Sequence, residues 1–341
     1  MIYLQRVDIM NKKCFGCGVI LQTVNKNDLG YVKEENLQKG NLCERCFRIK
    51  NYGDYKIVSK SNEEYLKVLN QINKTNDLVV LVIDTFFLSD SLYDLSKVLT
   101  NPVLVVLSKR DILPKSIYEE KILKYIEKYN FNVVDKILIS SKKNYQFDEL
   151  YGMLYRYKKS DTVYIVGYTN AGKSTMINKL LYNYSDSITE VTTSFLPSTT
   201  LDTIEINLRE DLKLVDTPGI LENRSLMNEV SGKELKRIIP SKEIKPITYQ
   251  IKSPQYIIID NYAVIECNCV TNVTLFFSSS LNITRNYNKI DITNMYVNDM
   301  FAKEGQDIVI SGLGFIKISK NFNGKIYTKH NLNVYVRDSL I

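Results

Sequence analysis

A glycine-rich loop between a strand-like run and a helix-like run carries the strongest chemical signal in this sequence. Residues 167–174 read G-x-x-x-x-G-K-S, with an apolar run before them and a helical pattern at 175–182. Glycines let backbone N–H groups turn toward phosphate oxygens, the lysine neutralises their charge, and the serine hydroxyl can hold Mg²⁺. The pattern predicts a nucleotide phosphate site. The predicted nucleotide contacts are Gly167, Asn170, Ala171, Gly172, Lys173, Ser174 and Thr175.

Two short segments resemble the motifs with which GTPases read guanine. Ser108-Lys109-Arg110-Asp111 is similar to N-K-x-D, in which the carboxylate accepts hydrogen bonds from the base and the lysine stem packs along it. Serine stands in place of the usual asparagine, a departure that affects the bracing of the base but leaves the carboxylate that selects guanine. Ser140-Ser141-Lys142 resembles the S-A-K loop, whose backbone N–H meets the guanine carbonyl. Both segments follow predicted strands, at the ends where α/β sheets bind ligands.

Two segments further along the chain can respond to a γ-phosphate. Thr199 and Thr200 lie in a loop that can close over Mg²⁺ and the γ-phosphate. Asp216-Thr-Pro-Gly219 supplies a D-x-x-G element, in which the aspartate reaches Mg²⁺ through water and the glycine N–H contacts the γ-phosphate. The predicted catalytic residues are Lys173, Thr199, Thr200 and Gly219, and the predicted magnesium ligands are Ser174, Thr200 and Asp216.

The residue after Gly219 indicates that hydrolysis does not use a glutamine. Ile220 occupies the position at which Ras-type enzymes carry a glutamine that orients water. Asn170 matches an asparagine that helps related GTPases to coordinate potassium beside the phosphates, where a cation can replace an arginine finger. A simple loop-forming role is the alternative for Asn170. The single histidine, His330, is interpreted as a surface residue, and no histidine-based triad is possible.

Four cysteines near the start have the spacing of a zinc site. Two C-x-x-C pairs can each place two thiolates on one cation, and four thiolates close a tetrahedral site of the structural type. Disulfides are the alternative, and they are less expected in a cytosolic protein. Cys267 and Cys269 alternate within a β-like run and are interpreted as ordinary strand residues. The predicted zinc ligands are Cys14, Cys17, Cys43 and Cys46.

The elements that must position these residues fall into three regions. Residues 1–58 are predicted to form the four-cysteine zinc-binding domain, a treble-clef-like knuckle. Residues 59–238 alternate strands (77–84, 103–107, 134–139) with helices (117–129, 147–158), which predicts a parallel α/β sheet. Residues 239–341 are predicted to be a β-rich domain, with strands at 256–259, 273–277, 307–310, 315–318 and 333–336 and a short helix near 295–301.

The charge distribution suggests a polyanionic partner. The net charge is +7, and the excess of Lys and Arg lies in residues 1–60 and 241–341, on both flanks of the nucleotide region. An ordinary lysine-rich surface remains the alternative. No apolar run reaches membrane-spanning length and no export signal is present, so a cytoplasmic location is expected. Met10 is an alternative start residue.

The order of the motifs resembles that of the YqeH family of ribosome-assembly GTPases. Both base-reading motifs precede the phosphate loop, a circular permutation of the usual order. The resemblance covers nearly the whole chain, including C-F-G-C-G, C-E-R-C-F-R, R-D-I-L-P-K-S, P-S-T-T-L-D-T-I-E-I, S-G-L-G-F and V-R-D-S-L-I. Ser198 replaces the usual glycine. The resemblance implies a permuted P-loop GTPase domain and a role in maturing the small ribosomal subunit with binding to its rRNA.

The sequence therefore predicts an enzyme that hydrolyses GTP, slowly and with stimulation by the ribosome or potassium. The expected cofactors are GTP or GDP, Mg²⁺ and Zn²⁺, with K⁺ as a further candidate. No membrane or DNA partner is expected, and the protein is expected to be monomeric away from the ribosome. A scaffold that binds RNA and nucleotide without hydrolysis is the alternative function. A GTPase acting on tRNA or on membranes has no dedicated signal in this sequence.

Overall fold

The computed structural model describes residues 12, 20–24, 30–37, 40, 42–44, 62–185, 191–195 and 202–341. Two compact units are formed. The first comprises the described parts of Met1–Ile83, Lys97–Ser108 and Phe131–Ile220. The second comprises Asp84–Ser96, Lys109–Asn130 and Leu221–Ile341.

The helices and strands of these residues are numbered here in chain order. The helices are α1 (Glu34–Leu37), α2 (Asn62–Ile72), α3 (Leu92–Val98), α4 (Glu119–Tyr125), α5 (Phe147–Tyr157), α6 (Lys173–Tyr184), α7 (Leu226–Glu229) and α8 (Gly232–Ile238), with 3₁₀ turns at Arg110–Ile112 and Ile126–Lys128. The strands are β1 (Leu78–Asp84), β2 (Val103–Ser108), β3 (Val133–Leu138), β4 (Thr162–Gly167), β5 (Val191–Phe195), β6 (Asp202–Arg209), β7 (Leu212–Asp216), β8 (Ile247–Ile251), β9 (Gln255–Ile259), β10 (Ala263–Cys267), β11 (Thr271–Phe277), β12 (Ile283–Asn286), β13 (Tyr296–Ala302), β14 (Gln306–Ile310), β15 (Gly314–Ile318), β16 (Phe322–Thr328) and β17 (Val334–Asp338).

The first unit is built on a seven-stranded sheet in the order β3-β2-β1-β4-β7-β6-β5. Strand β4, which leads into the phosphate loop, pairs in parallel with β1 on one side and with β7 on the other. β1 and β2 are buried along their whole length because apolar residues run continuously through them, as expected for central strands covered on both faces. The predicted α/β fold with a P-loop is confirmed.

One end of this sheet is antiparallel, a feature that the predicted parallel sheet does not include. β6 pairs antiparallel with β7, and β5 pairs antiparallel with β6. The link between β6 and β7 consists of Glu210 and Asp211. A connection this short can only reverse the chain, because a parallel pair needs a crossover of a dozen or more residues.

The second unit contains two five-stranded antiparallel sheets, in the orders β12-β9-β10-β16-β13 and β17-β14-β15-β11-β8. The second of these is called the C-terminal sheet below. One apolar core is shared by both sheets, with Ile257, Ile265 and Ile326 from the first and Val273, Ile308 and Ile316 from the C-terminal sheet. Inward and outward residues alternate along β9, as a half-buried strand requires. The predicted β-rich content of this region is confirmed.

Two details of the second unit correct the sequence-based predictions. The short helix predicted near 295–301 is wrong, since Tyr296–Ala302 form β13 and pair with β16 over seven positions. Met300 is buried and Phe301 exposed, so the run follows a period of two rather than a helical period. Cys267 is a buried strand residue as predicted, but Cys269 lies in the turn after β10 and not in the strand.

Candidate nucleotide-binding site

The phosphate loop joins β4 to α6, the strand–loop–helix context that the motif requires. Two of its residues adopt left-handed backbone conformations, Asn170 with φ 62° and Gly172 with φ 95°. At Gly167 an added Cβ would collide with the carbonyl oxygen of Val82 in β1, so only glycine fits there. The sequence folds into a tight loop because glycine is available at both ends.

Lys173 is a buried cation at the base of this loop, only 7% exposed. Its ammonium donates hydrogen bonds to the Gly167 carbonyl (2.8 Å) and the Tyr168 carbonyl (3.1 Å). Burial lowers the pKa of Lys173 to about 8, and the charge of Asp216 opposes that shift. Among the described residues no carboxylate lies within ion-pair distance of this ammonium. A buried cation in this state is stabilised by an anion, which is what a phosphate group supplies.

The D-T-P-G segment lies directly against the phosphate loop in the first unit. Thr217 donates from its N–H and its hydroxyl to the Ile165 carbonyl in β4, at 3.1 and 2.9 Å. The Thr169 N–H donates to the Ile220 carbonyl at 2.8 Å, and the Ile220 N–H donates to the Gly167 carbonyl at 3.2 Å. Ile220 therefore contacts the loop through its backbone, in the manner of a short extra strand.

The oxygen donors near this loop are of the kind that magnesium prefers. Asp216 ends β7 and is 6% exposed, and Ser174 stands in the first turn of α6. A hydroxyl and a carboxylate suit a hard divalent cation that also binds phosphate oxygens. The residues present thus fit the magnesium nucleotide that the motif implies.

Ser108 ends β2 and contacts the phosphate loop. Its hydroxyl lies 2.6 Å from the Ala171 carbonyl and 3.2 Å from the Ile83 carbonyl, and the side chain is buried. A hydroxyl has one proton to donate, and the shorter distance indicates that it is donated to the Ala171 carbonyl. The serine that replaces asparagine therefore braces the loop backbone, a role that the motif comparison does not predict.

The loop after β3 is closed by its own hydrogen bonds. Ser140 and Tyr145 exchange backbone hydrogen bonds of 3.3 and 3.0 Å, and the Ser140 hydroxyl accepts from the Lys143 N–H at 3.1 Å. Ser141 and Lys142 lie inside this turn. The candidate base-contacting residues are thus held in a compact turn.

In the second unit, Lys109 and Asp111 lie at a 3₁₀ turn. Lys109 has φ 63°, immediately before Arg110–Ile112. Its ammonium lies 2.7 Å from Asp84 Oδ2, and this carboxylate also accepts a hydrogen bond from the Phe86 N–H through Oδ1 at 3.0 Å. Sequence reasoning missed Asp84, for which the available signal was an aspartate at the end of a buried strand.

Tyr65 is a second residue that sequence reasoning missed. It lies in α2 and is 5% exposed. Burial raises the pKa of Tyr65, while the neighbouring Thr217 hydroxyl and Gly167 backbone oppose that rise. The helix before β1 therefore packs an aromatic ring against both the start of the phosphate loop and the D-T-P-G segment.

Several predicted residues lie outside the described part of the chain. Cys43 is described and is buried beside Leu21 and Val32. No group of three or more potential metal ligands is found among the described residues. The predicted site residues outside the description are Cys14, Cys17, Cys46, Thr199 and Thr200.

Comparison with known proteins agrees with this geometry. A family model described as "50S ribosome-binding GTPase" matches residues 162–262, which include the phosphate loop and the D-T-P-G segment. YqeH of Bacillus subtilis is 33% identical over 96% of this chain and 99% of its own length. The chain belongs to the YqeH family. It carries a GTPase domain, which binds GTP or GDP with Mg²⁺.

More distant relatives share only part of their length with this YqeH-family chain. NO-associated protein 1 of Arabidopsis thaliana is 25% identical over 72% of this chain and 50% of its own length. The tRNA modification GTPase MnmE of Mycoplasma mycoides is 26% identical over 57% of this chain and 45% of its own length. These matches support the GTPase assignment.

Within the described ranges, no helix is both long and apolar enough to cross a membrane.

Proposed function

We propose that this chain is a GTP-hydrolysing assembly factor for the small ribosomal subunit, and that its nucleotide state controls its binding to ribosomal RNA in the cytoplasm. The observation that carries the proposal is the contact between the phosphate loop and the D-T-P-G segment. A Cβ added to Gly219 would lie 2.7 Å from Thr169 Oγ1 and 2.9 Å from Thr169 Cα. A γ-phosphate at this loop would meet the segment directly, which supports a conformation that depends on the third phosphate.

In this proposal the nucleotide is held by side chains of distinct chemical types. Lys173 neutralises the β- and γ-phosphate oxygens, and Ser174 and Asp216 hold Mg²⁺ together with Thr200. The Gly219 N–H contacts the γ-phosphate, and Thr199 helps to close the loop. Asp111 accepts hydrogen bonds from guanine, with Lys109 along the base and Ser141 donating its N–H to the base carbonyl.

Two further metal ions belong to the proposal. Asn170, held with φ 62°, contributes to a potassium site beside the phosphates. The four cysteines of residues 1–58 bind Zn²⁺, and the buried position of Cys43 is compatible with a closed structural site. Residues 59–238 act as the permuted GTPase domain, and residues 239–341 contact the ribosome.

A cluster of arginine and tyrosine in the second unit supports contact with RNA. The Arg285 guanidinium lies over the rings of Tyr249 (4.8 Å) and Tyr287 (5.5 Å). Tyr287 is 62% exposed, so its ring is available to another molecule. Tyrosine rings and guanidinium planes are the groups on which unpaired RNA bases stack.

The choice of ribosomal subunit is the first point to test. The description of the matching family model names the large subunit, whereas the resemblance to the YqeH family implies the small one. Sedimentation of the purified protein with isolated small or large subunits, in a non-hydrolysable GTP analogue or in GDP, separates the two. We expect binding to small subunits with the GTP analogue and weaker binding with GDP.

Three results would contradict the proposal. Binding to large subunits alone would indicate that the protein acts on the large subunit and not on the small one. Equal binding in both nucleotides, without GTP hydrolysis under any condition, would favour the non-hydrolysing scaffold. Arg285→Ala should weaken binding, and Arg237→Ala, an exposed arginine paired with Asp260 at 2.8 Å, is the matched control. Equal effects of both variants would remove the Arg285 cluster from the RNA surface.

A further inference from the structure

The segment that carries Lys109 and Asp111 is held by residues from the C-terminal part of the second unit. The Ile112 carbonyl, next to Asp111, accepts a hydrogen bond from the Ile244 N–H at 2.9 Å. The Lys115 N–H donates to Glu243 Oε1 at 3.2 Å. Ile244 is 1% exposed, so this connection is buried.

A second connection reaches Lys109 through Asp84. The Asp84 side chain is 8% exposed, and its carboxylate binds both the Lys109 ammonium and the Phe86 N–H. The ion pair fixes the end of a long flexible side chain whose stem is the part that a base would contact. The turn that begins at Asp84 therefore constrains the position of the Lys109 ammonium.

That turn is packed against the C-terminal sheet. The ring of Phe86, 1% exposed, lies 5.4 Å from the ring of Phe315 in β15, which stacks on Phe276 at 4.7 Å. Two residues after Phe86, the Leu88 carbonyl accepts hydrogen bonds from Arg337 Nη1 (2.6 Å) and from the Tyr335 hydroxyl (3.3 Å).

Arg337 itself has little freedom to move. Its guanidinium lies 4.7 Å from the Phe315 ring, and its Nε lies 3.5 Å from Asp307 Oδ2, with both side chains of this ion pair at most 1% exposed. Burial raises the pKa of Asp307, and the charge of Arg337 opposes that rise. Removal of either partner of this buried pair would be strongly destabilising, because the remaining charge would be left without compensation.

We propose that Asp84, Phe315 and Tyr335 are positioning residues for guanine selection. In this arrangement the C-terminal sheet fixes the turn at 84–88, the turn fixes Asp84, and Asp84 fixes Lys109. Base selectivity is then a property of the second unit as a whole, including a sheet formed largely by residues after 270. This inference rests on the proposed role of Lys109 and Asp111 in reading guanine.

The test compares binding of GDP, ADP and tripolyphosphate, a probe without a base, to the full-length protein. Asp84→Asn keeps an acceptor for the Phe86 N–H but loses the charge that holds Lys109. We expect its preference for GDP over ADP to fall at least about tenfold, because a charge-assisted hydrogen bond is lost. Binding of tripolyphosphate should change less than about twofold, because no phosphate-loop residue is altered.

Phe315→Leu tests the contribution of the C-terminal sheet, with Phe301→Leu on the exposed side of β13 as the matched control. We expect a loss of GDP preference in Phe315→Leu and none in Phe301→Leu, whose ring is 59% exposed. The double variant with Asp84→Asn should lose no more than Asp84→Asn alone, because both changes act through one path. Tyr335→Phe, which removes one hydroxyl, is the milder variant if Phe315→Leu does not fold.

The outcomes distinguish this inference from the proposed function. Failure of the unmutated protein to prefer GDP would overturn the guanine assignment as well. A protein that prefers GDP and keeps that preference in Asp84→Asn would overturn the inference alone. Additive losses of GDP preference in the double variant would show that the C-terminal sheet does not act through Asp84 and would overturn the inference. Equal losses for GDP, ADP and tripolyphosphate would show that the C-terminal sheet acts on stability and not on base selection.

Discussion

The Thr169 N–H donates a 2.8 Å hydrogen bond to the Ile220 carbonyl, so a phosphate-loop amide is occupied by the segment that follows Gly219. The same two segments share a second bond, from the Ile220 N–H to the Gly167 carbonyl. Neither of these two amides is a predicted phosphate contact, so both hydrogen bonds can persist when a nucleotide binds. A γ-phosphate that moves Gly219 is therefore expected to move the phosphate loop as well, through Ile220, which has no side-chain group to orient water.

The affinity for phosphate should depend on pH through Lys173. Burial lowers the pKa of Lys173 to about 8, so above that pH the free protein carries a neutral amine, whereas a bound phosphate favours the ammonium. Tripolyphosphate affinity should fall as pH rises from 8, approaching tenfold per pH unit. Calorimetry in buffers of different ionisation enthalpy should detect proton uptake on binding, and Lys173→Arg, charged at every pH used, should lack it.

The same shift predicts the direction of a stability change. The unfolded chain keeps the lysine proton up to its ordinary pKa of 10.5, whereas the folded protein without nucleotide loses it near 8. Between these values the unfolded state binds more protons, so the Lys173 contribution to the free energy of unfolding becomes more favourable as pH rises. Denaturant titrations at several pH values should show that the free energy of unfolding rises more steeply with pH in the unmutated protein than in Lys173→Met. The same pH dependence in both proteins would contradict the buried position of Lys173.

Asp111→Asn should abolish the preference for guanine. The carboxylate accepts hydrogen bonds from the base, and a charge-assisted hydrogen bond contributes roughly 1.5–3 kcal/mol, or about 10- to 100-fold in affinity. Competition between GDP and ADP measures the preference. Asp94→Asn, an exposed aspartate in α3, is the matched control and should leave it unchanged.

Potassium should accelerate hydrolysis more than sodium does. A cation held by Asn170 can replace the charge of an arginine finger, and we expect roughly tenfold, below the 10³ or more of systems that use the finger itself. Asn170→Gly is the informative variant, because glycine accepts the φ of 62° without strain. It should remove the ion preference and retain nucleotide binding. Equal single-turnover rates in both salts, with and without small subunits, would exclude potassium from the reaction.

One zinc ion per chain is expected in protein purified without chelators. Binding by four thiolates contributes on the order of 10 kcal/mol to the folding of a small knuckle. Cys43→Ser should lose the metal and unfold residues 14–46 while GTP binding persists. Cys269→Ser, in the turn after β10, is the matched control and should retain zinc. Metal analysis that finds no zinc in the unmutated protein would contradict the prediction.

The sequence predicts the phosphate loop and the central strands well because their signals are local. Residues 167–174 carry their chemistry in eight consecutive positions, and the apolar run of β1 is visible without knowledge of its neighbours. The bracing by Ser108 was not predictable, since its partner Ala171 lies 63 residues away and no motif records the contact. Asp84 was missed for the same reason, because its partner Lys109 is 25 residues distant.

In the β-rich region the sequence predicts individual strands but not the way in which they pair. Strands such as Gln255–Ile259 are predicted from alternating residues, but the order of strands in the two sheets has no local signal. Near residues 295–301 a weak pattern suggested a helix, and pairing with β16 decided the outcome. Tertiary pairing outweighs local propensity in short segments, since a few residues hold too little intrinsic preference to resist it.

The hydrogen bond from Arg337 to the Leu88 carbonyl joins residues 249 positions apart. During synthesis Leu88 is made long before Arg337. The turn at 84–88 can therefore form this hydrogen bond only after almost the entire chain has been synthesised. Contacts of such long sequence separation form slowly, since the entropy of closing the loop is lost before any contact forms. The nascent chain is thus expected to acquire a stable phosphate loop first and a fixed Lys109 last, with a late step that a prematurely terminated chain never completes.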